Sequence, residues 1–170
     1  VTRGDGRGLL AVAVVAAVVT VGILVAAFVR DATGRHGPAG EVAERYLTAL
    51  AAGDGTSAYQ EVSPFFRSVV FRDELDLLAD AVAEVVGGQI GVEIVGTERT
   101  SDTTIAAGYW ADTDVGVMEG VVTVVEDEGR WWVQDASYRF PDAPDGTADA
   151  IDAVVTMLND QIVQRLSSGS

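Results

Sequence analysis

The stretch EDEGRWWVQD, Glu126 to Asp135, sets two of the chain's three tryptophans beside a glycine turn and ends on a carboxylate. A ligand platform and a structural wedge both have this composition. A carboxylate on such a strand can act as a base if it is held in a dry pocket opposite a phenol, which shifts its pKa. Tyr109 and Asp112 are the other pair close enough in sequence to be weighed for that role. Three residues apart, they face opposite sides of a regular strand, whereas Asp135 shares the face of Trp131. Asp135 is therefore the stronger candidate base, although carboxylates at strand ends are usually solvated.

Other chemistries are excluded or weak. There is no cysteine, hence no thiolate nucleophile, disulfide or cysteine metal site. The single histidine, His36, lies in the Gly- and Pro-containing stretch RDATGRHGPAG, Arg30 to Gly40, which reads as a linker and removes the commonest general base. PDAPDGTADAID carries four aspartates. Aligning Gly146 with the glycine of a calcium loop puts Pro141 and Ala143 at the first and third ligand positions, so it is no calcium loop. No catalytic residue, cofactor or metal site is assigned. Net charge is −15, which disfavours nucleic acid and anionic surfaces as partners. Every basic residue is arginine, a composition expected of a GC-rich genome.

The elements that must position these residues follow from period. Leu9 to Val29 is a 21-residue run without charge. As a helix it spans about 30 Å and is long enough to cross a bilayer. The reading is a cytoplasmic tail at 1–8, a transmembrane helix at 9–29, a linker at 30–40, a domain at 41–140 and a C-terminal loop and helix at 141–170. Val42, Ala43, Tyr46, Leu47 and Leu50 form one face of a first helix, and Leu75, Leu78, Val82 and Val85 one face of a second. The turn GDGTSAYQEVSP separates them. Four β-branched or aromatic runs follow, with polar breaks at Thr100–Asp102, Asp112–Asp114 and Asp127–Gly129, and predict an antiparallel meander. A last helix carries the stripe Ile151, Val154, Val155, Leu158, Ile162 and Leu166.

Two motifs in this order, YLTALAAGDGTSAYQEVSP and VVTVVEDEGRWWVQD, resemble the nuclear transport factor 2-like superfamily, in particular its small membrane-anchored members related to lumazine-binding-like and cystatin-like domains. The resemblance implies an α+β fold, a cone in which N-terminal helices pack on a curved antiparallel sheet of about four strands, with a C-terminal helix appended and one transmembrane helix before it. Trp132 and the appended helix depart from the family pattern. Trp131 is expected on the inner face against the first helix, and Trp132 on the outer face beneath the last.

Three functions compete. The first is a single-pass membrane protein, N-terminus cytoplasmic, whose extracytoplasmic domain is non-enzymatic and contacts envelope proteins or another copy of itself. The second is a small apolar-ligand or lipid-binding domain whose cone cavity is lined by Tyr46, Leu50, Phe65, Phe66, Tyr109 and Trp131. Ranked third is an enzyme resembling the family's isomerases and cyclases. Cavity polarity separates the last two: an apolar cavity favours binding, and a buried carboxylate facing a tyrosine favours catalysis.

Overall fold

The computed structural model describes residues 36–88 and 90–168. Four helices precede the sheet: α1 (Gly37–Ala51), α2 (Gly55–Glu61), α3 (Pro64–Val69) and α4 (Arg72–Val86). Strands β1 (Val92–Ser101), β2 (Thr104–Thr113), β3 (Gly116–Asp127) and β4 (Arg130–Arg139) follow, and α5 (Asp149–Ser168) closes the chain.

The residues marked by spacings of three and four do the packing. Val42, Ala43, Tyr46, Leu47 and Leu50 are all buried along α1, which crosses all four strands. Leu75 and Val82 anchor α4 in the same core. The segment expected as a turn between these helices is two short helices, each started by a side-chain cap. Asp54 accepts the Ser57 N–H at 2.9 Å, and the Ser63 hydroxyl accepts the Phe66 N–H at 3.1 Å. Helix α1 begins at Gly37, with Pro38 in its first turn, inside the stretch read as a linker.

The sheet is a four-stranded antiparallel meander in the order β1-β2-β3-β4. A two-residue loop joins β3 to β4, with Glu128 at φ 51° and Gly129 at φ 77°, the backbone that a tight hairpin requires. The expected curved sheet forming a cone is corrected here. The sheet is open, with β1 and β4 as its edges, because four strands are too few to close on themselves. The expected preceding transmembrane helix, Leu9–Val29, lies outside the described residues. Among the described residues no helix is long and apolar enough to cross a membrane. With no span among the described residues to support them, the membrane as partner, the single-pass topology and the extracytoplasmic placement are withdrawn, together with the envelope-accessory function built on them.

Trp132 is a second correction. Its cover is ionic rather than an apolar helix: the Arg67 and Arg130 guanidinium groups lie 4.9 and 3.9 Å from its ring centre. Arginine stacks on an indole face while keeping contact with water, so an outward tryptophan needs no second hydrophobic layer. Trp131 is half-buried and packs against the core.

Helix α5 packs on α4 and is also tied by polar contacts near each end. Near its start Asp152 accepts the Tyr138 hydroxyl at 2.6 Å. Near its end Arg165 donates to both Glu74 oxygens and to the Val69 carbonyl, and its guanidinium lies 4.1 Å from the centre of the Phe71 ring. Glu74 also accepts the Phe71 N–H at 2.7 Å, which caps α4. The hydrogen bonds from Arg165 hold the Glu74 carboxyl below its ordinary range, against the opposing effect of burial.

Two outcomes are expected. A depressed carboxylate pKa contributes stability above the unfolded-state value, roughly 4.3 for glutamate, and loses it as pH falls through the folded value. The Arg165 pKa is raised, so its charge persists across this window. Arg165→Met therefore lowers the melting temperature by a few degrees at pH 7, and its gap from wild type shrinks as pH falls from 5 to 3. Thermal denaturation followed by circular dichroism reads both. Separately, a Cβ at Gly120 would collide with the Ser137 carbonyl and press the Tyr109 ring. Gly120→Ala is expected to destabilise the fold by about 1–3 kcal/mol in urea denaturation, a typical overpacking effect.

Candidate functional site

A pocket of about 460 Å³ lies between the inner face of the sheet and α5. Tyr109 of β2 and Met118 of β3 line it from below, Tyr46 and Leu50 from α1, and Ile151, Val155, Leu158 and Ile162 from above. Phe65 and Val163, 49% and 43% exposed, stand among its lining as an apolar rim. Helix α5 covers the space with the apolar residues of one side. Only Ile151 and Leu158 of its twenty residues are buried.

Strand β4 shapes the polar end. The register passes from Val124 opposite Val133 to Thr123 opposite Asp135, leaving Gln134 unopposed. Such an irregularity breaks the alternation of side chains. Residues Val133 to Tyr138 all border the pocket. Ser63 holds this kink in place. Its N–H donates to the Val133 carbonyl at 2.8 Å and its hydroxyl donates to the Gln134 amide oxygen at 2.9 Å.

Three phenols and one carboxyl line the pocket. Tyr109 donates to the Ser137 carbonyl at 3.0 Å, and Tyr138 to Asp152. Tyr46 is 4% exposed. Burial raises the pKa of both Tyr46 and Tyr109, and the Asp135 charge raises Tyr46 further. Asp135 thus lies close enough to Tyr46 to act on it electrostatically. Burial also lifts the Asp135 carboxyl above its ordinary range, with the Ala136 N–H opposing. Among the described residues no arginine lines the pocket.

Of the residues named from sequence, Tyr46, Leu50, Phe65, Phe66 and Tyr109 all line this pocket, and Trp131 does not. Asp112 is exposed on β2 and lies outside it, as does His36. Tyr138, Met118 and the α5 roof were missed. The α5 stripe carried a signal, since its apolar face had to meet something. Tyr138 carried none, because its partner Asp152 is brought near only by the loop between β4 and α5. Among the described residues no group of histidine, aspartate and glutamate is placed to hold a metal ion.

The raised Asp135 pKa has a stability consequence. A carboxyl whose folded pKa exceeds its unfolded value, about 3.9, lowers stability as pH rises between the two. Asp135→Asn removes that loss. The variant is expected to melt a few degrees above wild type at pH 7, with the difference vanishing near pH 3, as read by calorimetry.

No family model matches the chain, and no curated protein matches it. The resemblance to the nuclear transport factor 2-like superfamily, including its cystatin-like and lumazine-binding-like branches, therefore finds no support and is withdrawn as an assignment.

Proposed function

We propose that this domain is a non-enzymatic binding module for a small, largely apolar molecule, held between the sheet and α5. The observation that carries the reading is the pocket itself: about 460 Å³, lined by aliphatic and aromatic side chains with a few polar groups at one end. That is the usual size and composition of a small-molecule site. The exposed apolar rim at Phe65 and Val163 supplies an entrance.

Proton-transfer catalysis is the second reading, favoured by one observation, a half-buried Asp135 and a buried Tyr46 lining the same pocket. It ranks lower because the remaining groups are committed. Tyr109 and Tyr138 both spend their hydroxyl protons on protein acceptors, and neither histidine nor a second carboxylate lines the pocket. An acid–base pair with pKa values pushed apart is the arrangement expected of a catalyst, and here burial raises every resolved pocket group.

Val155→Trp tests the binding reading by filling the pocket from its roof. The full chain is expected to enhance and blue-shift Nile red fluorescence, and the variant to lose at least about four-fifths of that signal while melting no lower than wild type. Equal fluorescence from both proteins would put the dye elsewhere and overturn the proposal.

A further inference from the structure

Resting on the reading of the pocket as a ligand site, we infer that its ligand is an apolar amine: a compact hydrocarbon body bearing one primary or secondary ammonium group, seated against Asp135.

Three observations converge on this class. Among the described residues Asp135 is the one acidic or basic residue lining the pocket, and no arginine lines it to pair with Asp135. A buried carboxylate without a counter-charge is costly, and a cation delivered by the ligand supplies what the protein leaves out. Tyr46 lines the same pocket, and its hydroxyl adds an oxygen that can accept a second ammonium N–H. The rings of Tyr46, Phe66 and Tyr109 line the same space, and aromatic faces attract a cation.

The charge of the whole chain agrees. At −15 its field draws cations toward the mouth of the pocket and repels acids. A fatty acid or other apolar carboxylate would bring a second negative group beside Asp135 and would bind only with an extra proton. A neutral alcohol would fill the hydrocarbon part and leave Asp135 without its counter-charge. Hydrophobic contact alone thus explains affinity for any such molecule, and Asp135 decides among them.

Isothermal titration of the full chain with octylamine, 1-octanol and octanoate at pH 7.5 separates these cases, because the three share a chain length and differ in the head group. Octylamine is expected to bind at least about tenfold tighter than 1-octanol, with octanoate weakest, the margin of a charge-assisted hydrogen bond. Asp135→Asn is expected to bring octylamine down to the level of 1-octanol while leaving 1-octanol within about twofold of wild type. Val155→Trp is expected to abolish binding of both. If the acidic surface captures the amine, Val155→Trp will bind octylamine as wild type does, and the inference falls. It also falls if wild type binds 1-octanol or octanoate as tightly as octylamine, or if Asp135→Asn keeps the amine preference; the pocket reading then stands. Should none of the three bind and Nile red fail to distinguish Val155→Trp, the pocket reading itself is overturned. The wild-type ranking decides the matter even if Asp135→Asn does not fold.

Discussion

The arrangement depends on how α5 is attached. Asp152 is bound to Tyr138 at one end and Arg165 to Glu74 at the other, and the thirteen-residue separation (165 − 152) amounts to about 20 Å of helix. Between these two polar points of α5, Leu158 is buried, and Val154 and Val155 pack against the core. Its apolar stripe faces the space beneath, so it roofs the pocket rather than filling it. The Arg165 end carries more than one duty. Glu74 takes the Arg165 guanidinium and the N-terminal N–H of α4 on the same carboxylate, so the cap of one helix and the tether of another share a single charge.

The polar end depends on a different constraint, the register of β4. With Gln134 left unopposed, the alternation of the strand is interrupted beside the pocket that Asp135 and Tyr46 both line. Ser63 makes this stable by joining the start of α3 to the kinked edge, where Val62 also bridges to Val133. A buried serine with partners on both sides is a specific connection, and it links the short helices to the strand that carries the polar groups.

The tryptophan pair shows how a correct local reading can lead to a wrong neighbour. Adjacent strand residues do face opposite ways, and Trp131 does reach the core. The assumption that Trp132 needed an apolar cover failed because Arg67 and Arg130 provide a cationic one. The family resemblance failed for a related reason. An acidic residue, glycine, arginine and tryptophan at a hairpin reflect what a tight turn and the start of a strand require, and any antiparallel meander can meet those needs. Shared local physics is weak evidence of shared descent.

What the sequence determined by itself was set by short-range periodicity. Residues three and four apart placed Val42, Tyr46, Leu47 and Leu50 inside α1, and β-branched runs with polar breaks marked the meander. The same reasoning named five residues that now line one pocket, because apolar side chains on the core-facing sides of neighbouring elements must meet. The capped helices α2 and α3 were legible as breaks but not as helices, since seven and six residues are too few to show a period. Only the tertiary structure decided whether the core would be filled or hollow. That turned on where α5 comes to rest, on a single unopposed residue in β4, and on pairings across 14 and 91 positions of chain. Such pairings leave no periodic trace, because they depend on where whole elements come to rest rather than on the spacing within any one of them.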